Sequence, residues 1–280
     1  MKKIIVPIDF SDQSKQALDF AVEFGSVFGA EITLVHVLEL PVSHFSIAGE
    51  VNRQAMENFY TGEFIKAVHE RLEEWKEHAS NQGITVKAVM KYGNPFRKIS
   101  SAISAEAADY IIMGSKGASG LKEFFVGSNA ARMIRYADCP VVIVKGETHI
   151  KDFKNLVFAT DASIEQDAIA RSASEIQHSL DLNMHVVKIK TPYNWLEDSQ
   201  VKKQLDQFAE RNRLERVTLS ASSADFVDEG AIKFAEENNS GMIMIGTHGR
   251  TGLGHLIAGS TAENLVNESE IPVMVFKIPE

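Results

Sequence analysis

The chain has one cysteine in 280 residues, Cys139, which excludes an intrachain disulfide and a cysteine-rich metal site. It stands just before Pro140-Val141-Val142, where it reads as a small apolar side chain at the entrance to a strand, the alternative being a reactive thiol. Long apolar runs are also missing. The longest, such as Val141 to Val144 and Met242 to Ile245, fall far short of the ~20 residues that span a bilayer. The start, Met1-Lys2-Lys3-Ile4-Ile5-Val6-Pro7-Ile8-Asp9, is basic, but its apolar stretch ends at Asp9 and no small-residue cleavage site follows. These absences predict a cytoplasmic protein with no membrane partner. No long run of charge of either sign occurs, and the net charge is −9. Such a field repels phosphodiester backbones and anionic lipid, so nucleic acid is not an expected partner. A phosphate held by backbone N–H groups stays open, because it needs no net basic charge.

Several catalytic signatures are absent too. No Gly-x-x-x-x-Gly-Lys-Ser/Thr occurs, so the lysine and metal ligand of a P-loop are missing. There is no Gly-x-Ser-x-Gly elbow and no carboxylate pair placed to hold two metals. His69 and His78 lie nine residues apart on an amphipathic helical stretch, a spacing that does not pair them for a metal.

What is present is a repeat. Gly114-Ser115-Lys116-Gly117, followed after nine residues by Gly127-Ser128, returns as Gly246-Thr247-His248-Gly249 and Gly259-Ser260, at a constant offset of 132 residues. Cys139-Pro140-Val141 and Ile271-Pro272-Val273 match at the same offset. Near the start of each copy, Ile8-Asp9-Phe10-Ser11 answers Thr160-Asp161-Ala162-Ser163 at an offset of 152. The second copy is therefore about 20 residues shorter, the missing length falling where the first has residues 40–61. Two domains follow, 1–146 and 151–280, on a short join.

Periodicity predicts strands at 3–9, 31–38, 84–91, 110–114 and 141–145, with helices at 14–28, 63–80, 95–107 and 124–137. Leu18, Ala21, Val22 and Gly25 share one face of the first helix. In the second copy the strands fall at 155–160, 183–190, 217–222, 242–246 and 272–277. Its first helix, starting near Glu165, aligns Ile169, Ala173, Ile176 and Leu180. Nearly continuous apolar strands alternating with helices argue for an α/β fold, each copy a five-stranded parallel sheet covered on both faces.

In such a sheet, ligands bind at the carboxyl ends of the strands where the strand order reverses. Asp9, Val37, Gly93-Asn94-Pro95 and Gly114 all fall at strand ends, and Gly127-Ser128 falls where a helix begins. Glycines let backbone approach a polyanion, and a helix N-terminus adds free N–H groups and partial positive charge. Ser128 could cap that helix and also donate to a phosphate. Plainer readings stand beside these: the glycines as turns, Asp9 as a cap for the first helix, and His36 as a packed strand residue.

The spacing Gly-x-x-Gly-x9-Gly-Ser/Thr, with Asp at the end of the first strand and Val after His on the second, resembles the universal stress protein family, in its ATP-binding branch. The likeness covers both halves. It implies two tandem Rossmann-like domains of the adenine nucleotide alpha hydrolase-like kind, pairing through their last strands as a pseudo-dimer, with a homodimer of chains left open. By the same resemblance Asp9 and Val37 would hold adenosine, Gly114, Ser115, Lys116 and Gly117 the ribose and phosphate, and Gly127, Ser128 and Asn129 the triphosphate. The matching set in the second copy is Asp161, Ile189, Gly246, Thr247, His248, Gly249, Gly259, Ser260 and Thr261. The expected ligand is ATP or another adenine nucleotide, with any Mg²⁺ carried in by it.

The copies differ. The first keeps His36-Val37 and Gly93-Asn94-Pro95, but Glu123 opposes Lys116 and Lys122 in its loop. The second has Lys188-Ile189 and no Gly-Asn-Pro, while its loop carries His248, Arg250 and His255 with no acid. The first copy is therefore the expected site for a whole nucleotide. A stress-response regulator that binds ATP is the leading reading. A slow Mg²⁺-dependent ATPase and a nucleotide-free interaction module are the alternatives.

Overall fold

The apolar runs form strands because Ile, Val, Leu and Met alternate between two buried faces. The computed structural model describes residues 1–39, 60–115, 126–247 and 258–278. In the first half these comprise β1 (Lys3–Ile8), α1 (Asp12–Phe28), β2 (Glu31–Leu38), α2 (Gly62–Ser80), β3 (Thr85–Tyr92), α3 (Pro95–Glu106), β4 (Tyr110–Gly114), α4 (Ser128–Tyr136) and β5 (Val141–Val144). The second half repeats the order: β6 (Asn155–Ala159), α5 (Asp167–Ser179), β7 (Asn183–Lys190), α6 (Asp198–Asn212), β8 (Val217–Ser223), α7 (Val227–Glu237), β9 (Ser240–Thr247), α8 (Ala258–Glu268) and β10 (Val273–Lys277).

The strand order is β3-β2-β1-β4-β5-β10-β9-β6-β7-β8. Within each half all pairings are parallel, as the alternation of strands and helices requires. β5 and β10 meet antiparallel, with Val273 opposite Ile143 and Val275 opposite Val141, so the two five-stranded halves form one ten-stranded sheet. Each face carries its own core across both halves. Ile4, Val6, Phe20, Phe24, Phe158 and Met244 pack in one cluster, and Ile5, Ile111, Met133, Val157 and Ile243 in the other. Fully burying a side chain such as Phe20 or Phe158 contributes roughly 1.5–3 kcal/mol.

Helix edges move slightly from the sequence expectation. α1 begins at Asp12 because Ser11 caps it, and ends at Gly29 in the left-handed region (φ 58). Its buried face is the predicted one, widened by Ala17, Phe20 and Phe24. α5 begins at Asp167, after a 3₁₀ turn over Ile164–Gln166 rather than at Glu165. α4 begins at Ser128, and residues 124–125 of the longer predicted helix lie outside the described ones. Cys139 packs against the second core, and burial pushes its thiol up to about 12, so it behaves as the small apolar residue expected rather than as a nucleophile.

Candidate functional site

β1 is flanked by β2 on one side and β4 on the other, so strand order reverses there, and a crevice opens beyond their carboxyl ends. β6, between β7 and β9, repeats this arrangement. Just beyond each of these strands comes an aspartate, Asp9 directly after β1 and Asp161 one residue past the end of β6, then a residue in the left-handed region, Phe10 (φ 64) or Ala162 (φ 63). A side chain there costs of order 1–3 kcal/mol of backbone strain, and the surroundings must hold it. In the first half an aromatic cluster does so: Phe10 lies 4.5 Å from the His36 ring, 5.4 Å from Trp75 and 4.8 Å from the Arg71 guanidinium.

The turn aims the aspartate and starts the helix together. Asp9 Oδ1 accepts from Ser11 N at 3.1 Å and from Ser11 Oγ at 2.5 Å, while Ser11 Oγ accepts from Ser14 N at 3.2 Å. Ser11, not Asp9, is the cap, and the carboxylate holds the capping hydroxyl in place. His36 is buried, and its Nδ1 lies 2.9 Å from the Ile8 carbonyl; because a carbonyl only accepts, Nδ1 carries the proton. Burial holds its pKa below the ordinary value, against the opposing pull of that hydrogen bond and of Asp9. His36 is thus a packed residue that carries Val37, half-buried, to the crevice wall.

The first cleft, of about 320 Å³, is lined by Asp9, Ser14, Val37, Glu39, Pro95, Gly114, Ser115, Gly127, Ser128, Asn129 and Ala130, among others. Pro95 reaches it through a helix start: Gly93 turns with φ 122, and the Asn94 side chain accepts from Arg97 N at 3.1 Å. Gly114 has a packing role apart from any ligand. A Cβ there would stand 2.7 Å from the Gln13 carbonyl oxygen, so only glycine lets β4 meet the start of α1.

The far wall is the start of α4. Gly127 occupies the N-cap position, and among the described residues no side chain caps this end. Ser128 is therefore not the cap expected from sequence but the first helical residue, and it is exposed. Not every amide in the glycine turns is available. Ser115 N donates to the Val144 carbonyl at 3.2 Å and Gly127 N to the Ser115 carbonyl at 2.7 Å. Ala131 N makes the first bond of the helix, to the Gly127 carbonyl at 3.0 Å, so the amides of Ser128, Asn129 and Ala130 have no carbonyl within the helix to reach. These three residues border the cleft. Lys116, Gly117, Lys122 and Glu123 lie outside the described residues.

The second cleft measures about 180 Å³ and is lined by Thr160, Asp161, Gln166, Lys188, Ile189, Asn194, Gly246, Thr247, Thr261 and Ile278, with three others. Its Asp161 Oδ1 accepts from Ser163 N at 2.9 Å and from Gln166 Nε2 at 2.8 Å. Lys188, at the place of His36, donates to the Asp161 carbonyl at 3.0 Å and to Gln204 Oε1 at 2.7 Å. Burial lowers its pKa, partly offset by Asp161. Ile189 is 3% exposed, so it packs in the core rather than standing open like Val37. A Cβ on Gly246 would meet the flexible end of Ile169 at 2.7 Å. Gly259 and Ser260 fall in the first turn of α8, while His248, Gly249, Arg250 and His255 lie outside the described residues.

Sequence reasoning placed Asp9, Val37, Gly114, Ser115, Gly127, Ser128 and Asn129 at one cleft, and the structure gathers them there. It did likewise for Asp161, Ile189, Gly246, Thr247 and Thr261. It missed Ser14, Glu39, Gln166, Asn194 and Ile278. The repeat offset could have linked two of them, since Ser14 aligns with Gln166 at 152. Among the described residues no group of three or more His, Cys, Asp or Glu could hold a metal ion, and no helix is long and apolar enough to cross a membrane.

The pattern described as the Universal stress protein family matches this chain twice, over residues 1–145 and 152–277. The chain belongs to the universal stress protein family. The tandem arrangement has a full-length counterpart, the universal stress protein Slr1230 of Synechocystis, 22% identical over 296 residues that cover 99% of this chain and 100% of that one. The universal stress protein YxiE of Bacillus subtilis is 34% identical over 147 residues, 51% of this chain and 98% of its own length, and so matches about one half. The crystal structure of a universal stress protein from Archaeoglobus fulgidus superposes with a TM-score of 0.77 at 22% identity, covering 99% of this chain and 97% of that one. The tandem Rossmann-like fold of the family is thus shared over the whole length.

Proposed function

We propose that this universal stress protein is a nucleotide-dependent regulator that binds an adenine nucleotide, ATP first among them, in the cleft of its first half. The observation that carries the reading is the uncapped start of α4, where the amides of Ser128, Asn129 and Ala130 border a cleft at the point of strand reversal. Backbone N–H groups with the positive end of a helix favour a polyphosphate without any basic side chain, which suits a chain of net charge −9. Across the cleft, Asp9 offers a carboxylate for ribose hydroxyls and Val37 an apolar face for the adenine. Ser115, with Lys116 and Gly117, would hold the ribose and first phosphates, and Gly127, Ser128 and Asn129 the outer ones. Bound ATP serves as the signal. No residue described at the cleft is arranged to activate water, so turnover well above about 1 s⁻¹ is not expected.

The two halves, 1–146 and 151–280, form a built-in pair. The β5–β10 seam covers two strand edges that separate copies would otherwise expose, leaving β3 and β8 at the rims.

Titration calorimetry with ATP, ADP, AMP and GTP tests the site, with Ser128→Asp as the informative variant. A carboxylate in the first turn favours the helix but repels phosphate. The expected result is unchanged or raised melting temperature with ATP affinity reduced at least tenfold. Full ATP affinity in Ser128→Asp would remove the site.

A further inference from the structure

The second half keeps the frame of the first but not its space. Aligned through the repeat, Ile8, Asp9, Ser14, His36 and Val37 become Thr160, Asp161, Gln166, Lys188 and Ile189, and Gly146 becomes Ile278. Apart from the conserved aspartate and the Ile/Thr exchange, each change brings a longer or bulkier side chain. The cleft contracts from about 320 Å³ to about 180 Å³.

We infer that Gln166 and Lys188 occupy the nucleoside end of the second cleft as an internal substitute for ligand, so that one chain binds one adenine nucleotide and not two. The inference rests on the nucleotide reading of the first cleft and adds its stoichiometry and the residues that set it. Gln166 is 6% exposed and satisfied at both ends: Nε2 donates to Asp161 Oδ1 at 2.8 Å, and Oε1 accepts from Thr160 Oγ1 at 2.8 Å. A carboxamide presents a donor and an acceptor side by side. It therefore takes up Asp161 Oδ1, the counterpart of the carboxylate offered to ribose hydroxyls in the first half, and is anchored there by the Thr160 hydroxyl, where the first half has Ile8. Ser14, at the same place in the first half, is too short for this and keeps its hydroxyl on the Ser11 carbonyl at 3.0 Å.

Lys188 closes the neighbouring wall. Its ammonium bridges the Asp161 carbonyl and Gln204 of α6, tying the turn after β6 to that helix. Ile278, 3% exposed, lies against Gly246 where the first half has Gly146 with open space beside it. A nucleoside entering here would have to break satisfied buried hydrogen bonds and leave Gln166 and Lys188 without partners, a cost no first-half ligand meets. The second half is then a fixed frame that completes the sheet and carries no nucleoside.

Equilibrium dialysis with labelled ATP, checked by native mass spectrometry, counts nucleotide per full-length chain. Wild type should bind one ATP. The exchange Gln166→Ser with Lys188→His, which copies the first half, should raise the count toward two. Gln166→Ala alone, a smaller disturbance, should admit a second ATP more weakly. The reciprocal Ser14→Gln should lower affinity at the first cleft at least tenfold, while Ser14→Ala should not. Melting curves confirm that each variant is folded. Two ATP per wild-type chain would overturn this inference and leave the first-cleft reading standing. No ATP at all would overturn the reading itself, and the inference with it. One ATP in wild type and still one in both opened variants would show that Gln166 and Lys188 are not what closes the second cleft.

Discussion

The two halves of this chain share a backbone and differ in what they put into it. Each follows its first strand with an aspartate, turns through a left-handed residue, and opens a crevice at the strand reversal. In the first half the turn is braced from outside the crevice, by Phe10 packed among His36, Trp75 and Arg71, and the crevice stays open. In the second Arg211 likewise holds the turn from outside, through the Ala162 and Ser163 carbonyls, but Gln166 and Lys188 add contacts from within, and the crevice is smaller. Both halves hold the same strained turn; what differs is whether side chains are added inside the crevice beside it.

Core truncation gives the largest expected effect and tests whether the halves are one unit. Phe20→Ala in the first half and Phe208→Ala in the second should each cost about 3–5 kcal/mol. Because the sheet and both cores run through β5 and β10, either change should lower a single melting transition. Two separated transitions by calorimetry would break the picture of one sheet.

The equivalent glycines should part company. Gly114→Ala drives a methyl into the backbone of Gln13, which cannot swing away, and should cost about 1–3 kcal/mol in denaturant unfolding. Gly246→Ala meets only side chains, the end of Ile169 and, less closely, Ile278, and should cost less than half as much. Equal losses would mean that β4 and β9 are not packed differently against α1 and α5.

Capping separates the halves by a smaller margin. Ser11→Ala removes a cap bond and should cost about 1 kcal/mol. Ser163 makes no cap bond, and its hydroxyl is buried without a partner, so Ser163→Ala should be neutral or slightly stabilising.

The finest contrast lies in pH. The buried His36 has a folded pKa below its unfolded value of about 6.5, so the unfolded chain binds more protons and stability falls as pH drops below that value. His36→Asn, which keeps a donor toward Ile8, should reduce the slope of stability against pH below about 6.5. Lys188 is also lowered by burial, but from an unfolded value of about 10.4, and Lys188→Met should leave the acid slope unchanged. His185, likewise lowered by burial, retains its own share in both variants. An identical acid slope in His36→Asn and wild type would assign the effect elsewhere.

The sequence made the frame legible because it is written in short-range pattern. Apolar runs of strand length, the two offsets of the repeat, and aspartates and glycines at strand ends suffice to place both clefts. The side-chain contents were less legible. That Ser11 caps α1 while Asp9 holds it depends on a left-handed residue at Phe10, which no composition rule announces. Ser128 looked like a cap because serine favours that position, yet the helix begins one residue earlier than that reading requires, with Gly127 at the cap. Gly114 looked like a ligand glycine, and its closest constraint is a carbonyl on α1, a contact between distant segments. Gln166 and Ile278 went unnoticed because nothing local marks them; only alignment of the halves shows that they replace smaller residues.

The central claim is that the start of α4 holds the phosphates of an adenine nucleotide. Backbone amide spectra of the labelled full-length chain, recorded with and without ATP, test it residue by residue. Large shifts at Ser128, Asn129 and Ala130, with none at Thr261 and its neighbours in α8, are the predicted result. Saturating ATP that leaves the three α4 amides unmoved would contradict it.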